Sequence, residues 1–259
     1  MRRAPAAVIA SRLGDWTELA HELDRWAEAG QVATLWWRDD DAVTATPQLA
    51  QLLRLAAGIP LALAVIPADA EPGLAEALAE VPEVAVLQHG WRHANHALHG
   101  KKSEYPAGRP STEVAQELAA GKARLQALFG DRALPVLVPP WNRFATELLP
   151  LLPELGIAAI SATPSRALLP PGLGALDVHV DPVAWHGDHG FVGEPAALGG
   201  LIHQLQARRL GAEPADRPIG LLTHHLVTDA PTGAFIERLI AVIGAHRAAR
   251  WAAVTELLR

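Results

Sequence analysis

Residues 32–41 read Val-Ala-Thr-Leu-Trp-Trp-Arg-Asp-Asp-Asp, a short apolar run followed directly by one arginine and three carboxylates. Apolar runs of this length that end at charged residues are typical of strands buried inside a parallel sheet. Ionised side chains are costly to bury without partners, because they lose their hydration. We therefore expect this strand to carry Asp39, Asp40 and Asp41 into the mouth of an α/β fold, where a divalent cation would turn their repulsion into binding energy.

The same strand pattern recurs along the chain, with amphipathic helical stretches between the strands. The predicted strands are Val32–Trp37, Pro60–Ile66, Val84–Gln88, Leu134–Val138, Ile157–Ser161, Ala175–Val180 and Ile219–Thr223. The predicted helices are Trp16–Ala29, Pro47–Ala57, Thr112–Phe129, Ala145–Leu155, Pro195–Arg208 and Gly233–Arg247. This alternation implies a parallel sheet, either closed as a barrel or open with helices on both faces. No linker or repeat divides the sequence, so residues 1–259 are predicted to form one domain.

The composition excludes several classes of function. The 259 residues contain no cysteine, which excludes disulfides, thiolate metal ligands and cysteine nucleophiles. Any metal must therefore be bound by aspartate, glutamate or the 12 histidines. The formal net charge of -6 argues against a nucleic-acid partner, because phosphate binding normally needs a basic surface.

The sequence contains no apolar stretch of the length that a membrane span needs, about 18 residues in succession. The apolar run from Ala6 to Ala10 is too short for the core of a signal peptide, and charged residues follow it at once. We therefore predict a cytoplasmic protein with no membrane span.

Four polar clusters follow predicted strands at the point where each strand ends. They are residues 38–41 after the first strand, 89–96 after the third, 139–143 after the fourth and 224–225 after the last. Ligands and catalytic groups of parallel α/β folds gather at the carboxyl ends of the strands. The four clusters are therefore predicted to meet at one rim of the fold.

His89 and His93 are candidate imidazole ligands of a metal ion. Their spacing of four residues, with His96 three residues later, would put these side chains on one face of a helix. A loop can also bring them to one metal ion. Two imidazoles and one carboxylate leave coordination positions open for water and substrate, which is typical of catalytic metal sites. The competing interpretation is an exposed histidine-rich turn, and the nearby His99 shows that not every histidine here can be a ligand.

His224 and His225 end the last predicted strand. An imidazole there can protonate a leaving group, because it gains and loses a proton near neutral pH, and a capping or core role fits equally well. Three tryptophans near the same clusters, Trp91, Trp141 and Trp185, offer flat surfaces on which a sugar ring can stack.

These clusters, in this order, resemble the five motifs of the NodB-homology polysaccharide deacetylases, which form carbohydrate esterase family 4. The Asp-Asp pair of the first motif is similar to residues 39–41, and the second motif, His-Ser/Thr-x-x-His, has the spacing of residues 89–93. Residues 138–141 resemble the third motif, Arg-x-Pro-aromatic. Residues 181–185 resemble the fourth, an Asp and Trp region, and residues 221–224 resemble the fifth, Leu-x-x-His. The resemblance spans residues 32–226 and implies a distorted (β/α)7 barrel.

The resemblance implies roles for individual residues. The metal ligands would be Asp41, His89 and His93, the catalytic base Asp40 and the acid His224. In the alternative register, the base is Asp39 and the ligand is Asp40. The residues expected to contact substrate are Trp141, Trp91, Trp185 and His225.

Two positions depart from the family pattern. The arginine of the third motif, which pairs with the catalytic aspartate in the family, is Val138 here. Arg143 or Arg38 is expected to replace it, and we assign the catalytic role to Arg143. The hydroxyl residue of the second motif is Gly90.

The activity that the resemblance implies is removal of an N- or O-acetyl group from an acylated sugar. One divalent metal ion would assist, Zn²⁺ first of all, with Co²⁺, Ni²⁺ or Mn²⁺ as alternatives. Two other interpretations stay open. One is a metal-binding carbohydrate-binding or regulatory homologue that has lost turnover, and the other is a different barrel metallohydrolase, such as a phosphoesterase, with two adjacent metals.

Overall fold

The computed structural model of the protein describes residues 14–165 and 167–258, so the run Ala6–Ala10 lies outside the described residues. The strands are β1 (Ala33–Ala42), β2 (Leu61–Val65), β3 (Val84–His89), β4 (Ala133–Val138), β5 (Ala159–Ile160), β6 (Gly174–Ala175), β7 (Ile219–Thr223) and β8 (Ala249–Trp251). The α-helices are α1 (Trp16–Glu28), α2 (Pro47–Leu55), α3 (Pro72–Ala79), α4 (Ser111–Phe129), α5 (Leu151–Glu154), α6 (Glu194–Arg209), α7 (Ala230–Ala245) and α8 (Val254–Leu257). None of the helices in the described ranges is both long and apolar enough to cross a bilayer.

The strands form one parallel sheet with the order β6-β5-β4-β3-β2-β1-β7, and β8 pairs with the first residues of β1. The two ends of this order approach each other, because the chain after β6 meets β7 through a bridge between Val180 and Leu221. The sheet thus curls into a distorted (β/α)7 barrel, and the predicted fold class is confirmed. Since the strands are parallel, their carboxyl ends share one rim.

The barrel closes through an extended segment rather than a full strand. Leu176 N–H donates to the carbonyl of Ile160 (3.0 Å), the last residue of β5, whereas Val180 N–H donates to the carbonyl of Gly220 (3.1 Å) on β7. The segment changes partner between these two strands, so neither strand gives it a continuous ladder. The prediction of a regular strand over Ala175–Val180 is therefore wrong beyond Ala175.

The side chains of β1 alternate between the inside of the barrel and the helical layer outside it. Trp36 packs with the inward-facing residues of other strands, among them Ala64 and Val138. Leu35 and Trp37 belong to the larger core that lies between the sheet and the helices. The alternation continues into the charged residues, so Asp39 and Asp40 face opposite sides of the sheet.

Other parts of the chain also differ from the predicted elements. β1 extends to Ala42, so residues 38–41 continue the strand instead of following it as a loop. The predicted helix Ala145–Leu155 is a 3-10 turn at Thr146–Leu148 followed by the short α5, because two prolines in this stretch remove backbone donors. The sequence does not predict α3, β8 and α8, each of which is at most eight residues long.

Gly220 on β7 lies where the barrel closes tightly. A methyl group there would overlap the carbonyl oxygen of Asp177 and lie 2.8 Å from Trp36 Nε1. We expect Gly220→Ala to lower the free energy of unfolding by about 1–3 kcal/mol, as overpacking does. Gly244→Ala in α7, where a methyl group meets open space, should raise it by about 0.5–1 kcal/mol. Urea denaturation measures both changes, and an unaltered midpoint for Gly220→Ala would contradict the tight closure.

Candidate metal centre

A bulge in β1 places Asp41 at the rim of the barrel. Asp39 pairs with Leu63 of β2, but Ala42 pairs with Val65, so β1 has an extra residue between the two pairs. Asp41 has a φ of 71°, in the left-handed region that aspartate tolerates better than most residues. The bulge turns the Asp41 carboxylate out of the alternation of the strand and towards the end of β3.

His89, the last residue of β3, is oriented by a carbonyl group of β4. Its Nδ1 lies 3.0 Å from the carbonyl oxygen of Val138, which can only accept, so Nδ1 carries the hydrogen. Nε2 then faces Asp41 Oδ1 at 3.1 Å. A backbone carbonyl that fixes the second ring nitrogen is the usual arrangement of a metal-binding histidine.

His93 reaches the same carboxylate from the loop that follows β3. Its Nε2 lies 3.4 Å from Asp41 Oδ1, and its backbone has a φ of 55°. The ligand atoms of Asp41, His89 and His93, which we call the metal triad, all lie within 4.8 Å of one another. The convergence comes from a strand end and a loop, not from one face of a helix. Two imidazole nitrogens and one carboxylate oxygen are a donor set that suits a Zn²⁺-like ion.

The ionisation of the metal triad is coupled. Burial opposes the charge on Asp41, but the hydrogen bond to His89 and the neighbouring imidazoles outweigh it and hold the pKa of Asp41 below its ordinary value. Burial also disfavours protonated His89, but the charges of Asp40 and Asp41 outweigh it and raise the pKa of His89. Burial and the charge of His89 lower the pKa of His93. An ionised carboxylate and a neutral imidazole are the states that bind a cation.

Asp40 points into the barrel and is paired with Arg38, two residues earlier on the same face of β1. Arg38 Nη2 donates to Asp40 Oδ2 (2.9 Å), and Arg38 Nε lies 2.8 Å from Asp40 Oδ1. Arg38 is fully buried and also donates to Ser161 Oγ (2.7 Å) and Asn142 Oδ1 (2.8 Å). The guanidinium is therefore fixed from several sides and touches both oxygens of Asp40.

Asp39 faces the opposite side of β1. Thr223 Oγ1 donates to Asp39 Oδ2 (2.6 Å), and His225 Nδ1 lies 2.6 Å from Asp39 Oδ1. Asp39 and His225 are both almost completely buried. Asp39 thus lies on the outer face of the sheet, which leaves Asp40 and Asp41 as the pair that faces the site. The prediction that His225 contacts substrate is corrected, because its ring is enclosed against β1.

His224 follows β7 and faces Asp40. Its Nε2 lies 4.0 Å from Asp40 Oδ2, and the ring of Trp185 meets it edge-on with 4.6 Å between the ring centroids. Trp185 Nε1 donates to Asp181 Oδ2 (2.7 Å). Burial raises the pKa of Asp181. His224 therefore stands beside the predicted base with its ring held by an aromatic wall.

Arg38 takes the place beside Asp40 that the sequence analysis gave to Arg143. Arg143 Nη1 instead donates to the carbonyl oxygen of Lys102 (2.9 Å), and the assignment to Arg143 is corrected. The alternation of a strand is the signal that identifies Arg38, since residues two apart share a face. Ser161 and Asn142, which hold Arg38, have no such local signal because they come from other parts of the chain.

The remaining predicted residues differ in their placement. Trp141 packs on His93, with 4.3 Å between the ring centroids. Trp91 carries the guanidinium of Arg92 over its ring at 5.5 Å, and within residues 14–165 its ring does not stack on either imidazole of the metal triad. His93 rather than His96 completes the metal triad.

No family model and no curated relative matches this sequence, but solved structures do. A Mycobacterium smegmatis protein assigned as a polysaccharide deacetylase has a TM-score of 0.65 and 18% identity, with 88% of this chain and 90% of that chain covered. The family 4 carbohydrate esterase from Streptomyces lividans, solved with acetate, has a TM-score of 0.55 and 15% identity, with 86% and 93% covered. A family 4 pseudoenzyme from Bacillus anthracis has a TM-score of 0.56 and 14% identity, with 88% and 66% covered.

These likenesses confirm the resemblance at the level of the fold. The chain has the barrel shared by deacetylases and esterases of carbohydrate esterase family 4, over most of its length. Identities this low show the fold alone. The pseudoenzyme shares the fold as well, so the activity has to be argued from the site.

Replacing Arg38 tests the buried pair directly. Arg38→Met would leave the Asp40 carboxylate buried without its cation, which costs about 3–5 kcal/mol of unfolding free energy. Arg143→Met removes one hydrogen bond to a backbone carbonyl and should cost less than about 1 kcal/mol. Chemical denaturation at neutral pH measures both variants. Arg38→Met with wild-type stability would show that Asp40 does not depend on Arg38.

Proposed function

We propose that the protein is a metal-dependent hydrolase that removes an N- or O-acetyl group from a carbohydrate. The observation that carries the proposal is the meeting, at one rim, of the metal triad with an arginine-paired Asp40 and with His224. A cation site, a base and an acid are the groups that hydrolysis of an acyl bond needs. The fold shared with deacetylases and esterases supports the same activity.

The metal triad would hold the ion through Asp41 Oδ1 and the Nε2 atoms of His89 and His93. The chemistry that a divalent ion supplies at such a site is Lewis acidity towards the acyl carbonyl oxygen and towards a water molecule. We propose Zn²⁺ as the resident ion, with Co²⁺, Ni²⁺ or Mn²⁺ as substitutes, because two imidazoles and a carboxylate accept all of them.

Asp40 is the proposed general base, which takes a proton from the attacking water. Arg38 holds both oxygens of Asp40, so the carboxylate keeps one orientation at the rim. A fixed base loses little conformational freedom when the reaction begins, and this is how positioned groups contribute to rate. The contacts of Arg38 with Ser161 and Asn142 extend this support to other strands and loops.

His224 is the proposed general acid, which gives a proton from Nε2 to the departing amine or alcohol. Its position 4.0 Å from Asp40 puts the acid and the base on one reacting centre. The edge-on contact with Trp185 limits rotation of the imidazole. Trp185, 40% exposed, also offers a surface for a sugar ring, as does Trp141 beside His93. Trp91 stays a proposed substrate contact.

The proposed substrate is an acylated sugar or a small sugar-containing molecule. Within this class we propose a soluble sugar, a nucleotide sugar or a lipid-linked intermediate rather than a mature wall polymer, together with a cytoplasmic location. A metal-binding homologue without turnover is the second candidate, and the pseudoenzyme with the same fold favours it. The retained pairing of Asp40 with an arginine and its proximity to His224 favour the hydrolase.

Metal binding has a clear expected dependence on the triad. We expect one divalent ion per chain. His89→Ala and His93→Ala should each weaken metal affinity by more than about 100-fold, because loss of a residue that only supports a ligand already costs about tenfold to a hundredfold. Affinity should decrease as the pH falls through the raised pKa of His89, because protons then compete for its Nε2. Calorimetric titration with Zn²⁺ at several pH values measures both effects.

His96→Ala is the matched control for metal binding. His96 lies exposed on the same loop and outside the metal triad, so its loss should leave the affinity unchanged. Equal affinities of the His89, His93 and His96 variants would contradict the site. Activity that is indifferent to a strong chelator would contradict metal dependence.

The catalytic roles are tested by release of acetate from a panel of N-acetylated amino sugars and O-acetylated sugars. Asp40→Asn and His224→Gln should each lower kcat by about 100-fold to 10,000-fold, the contribution of a positioned acid or base, while metal binding is retained. His99→Gln, an exposed histidine on the loop after β3, should leave kcat unchanged. Metal-loaded wild type that releases no acetate from the whole panel would point to the homologue without turnover.

A further inference from the structure

Glu104 is a buried carboxylate that binds the backbone of the loop between the two triad histidines. It is 1% exposed. Its Oε2 accepts the N–H of Trp91 (3.0 Å), and its Oε1 accepts the N–H groups of Arg92 (2.8 Å) and Ala94 (3.4 Å). These backbone donors flank His93 on both sides, so the carboxylate determines the course of the loop at that residue.

The charge of Glu104 is compensated by the loop itself. No lysine, arginine or histidine within the described ranges forms an ion pair with its carboxylate; Arg109 Nη1 donates only to the backbone carbonyl of Glu104 (3.1 Å). Successive backbone N–H groups that point into one space form a binding place for an anion, and a buried carboxylate without such donors would be costly. Glu104 and the loop therefore depend on each other.

Gly90 leaves the space that Glu104 occupies. A Cβ at Gly90 would overlap Glu104 Oε2 and would lie 2.7 Å from the ring carbons of Pro140. Gly90 also has a φ of 59°, in the region that glycine adopts without strain. The glycine between His89 and Trp91 is therefore matched to a carboxylate that comes from a later part of the chain.

The backbone around Glu104 is anchored to the chain that follows β4. Tyr105 forms a bridge with Phe144, and the N–H of Ala145 donates to the carbonyl of Tyr105 (2.9 Å). Ser103 Oγ donates to the carbonyl of Arg143 (3.3 Å). The Glu104 segment is thus joined to the chain that follows β4, the strand whose Val138 carbonyl orients His89.

We infer that Glu104 is a positioning residue that sets the place of His93 relative to His89 and thereby tunes the affinity of the metal triad. The inference rests on the metal site of the proposed function. The Val138 carbonyl orients His89, and Glu104 binds the backbone on both sides of His93, so each histidine is positioned by a partner outside the metal triad. Outer partners of this kind typically contribute about tenfold to a hundredfold to metal affinity.

Glu104→Gln tests the inference by metal affinity. Glutamine keeps the shape of the side chain, but its amide nitrogen is a donor. It would face backbone N–H groups of the loop, so the hydrogen bonds to one of the two carboxylate oxygens are lost. We expect Co²⁺ and Zn²⁺ to bind about tenfold to a hundredfold more weakly, measured at a temperature where the variant is fully folded. The readout is the equilibrium affinity for the metal, not turnover.

Glu22→Gln is the matched control. Glu22 is also a fully buried carboxylate, paired with Arg209 (2.6 Å) between α1 and α6 and remote from the rim. It should lose stability and keep wild-type metal affinity. Glu104→Gln that binds metal within about twofold of wild type would overturn the inference. Equal weakening in the Glu22 and Glu104 variants would overturn it too, because the effect would then follow from lower stability alone.

Amide hydrogen exchange on the metal-free wild-type chain tests the hydrogen bonds between Glu104 and the loop without a variant and without metal. The amides of Trp91 and Arg92 should exchange much more slowly than unprotected peptide, because a buried carboxylate binds both. Exchange at unprotected rates would overturn the inference even if metal binds. Failure of the wild type to bind any divalent ion, with these amides protected, would instead contradict the proposed function and leave Glu104 as the residue that shapes the loop.

Discussion

The separation of three adjacent carboxylates by one strand is the constraint on which the rest of the site depends. Two like charges about 4 Å apart repel by about 4 kcal/mol at the effective dielectric near a protein surface, so Asp39, Asp40 and Asp41 cannot share one environment. The alternation of β1 sends the first to the helical side and the second into the barrel, and the bulge turns the third to the rim. Their separate partners are His225, Arg38 and the histidines of the metal triad.

This separation assigns a different chemistry to each carboxylate. Of the three, Asp41 is the one that meets the nitrogens of His89 and His93, and Asp40 is held by Arg38 next to His224, so the proposed ligand and the proposed base lie side by side in different surroundings. The curvature of the sheet brings these groups together, because they come from β1, β3 and β7. That curvature depends on the crowded closure at Gly220, where the extended segment after β6 meets β7.

The sequence predicts the parts of the site that follow from parallel topology. Polar residues after buried strands meet at one rim, and this is why the sequence alone indicates Asp41, His89, His93 and His224 as candidates. The left-handed Asp41 could not be predicted, because a bulge is a property of the pairing between β1 and β2 and not of either strand. The sequence offers both Arg38 and Arg143 as partners of the aspartate, because it does not show that β1 continues to Ala42 and puts Arg38 on the same face as Asp40. Glu104 binds N–H groups that lie 10 to 13 residues before it in the sequence, and no local pattern marks such a contact.

The position of the arginine bears on whether this chain turns over substrate. In the family it resembles, the arginine that pairs with the catalytic aspartate belongs to the third motif, and here Val138 stands at that place. The Val138 side chain packs with Trp36 inside the barrel, and the contact of its backbone carbonyl with His89 does not depend on which side chain stands at this position. Arg38 brings the charge to Asp40 from the same strand, fully buried and held at both ends of its guanidinium. Loss of the motif is therefore not loss of the interaction, and the argument from sequence for an inactive homologue loses its main support.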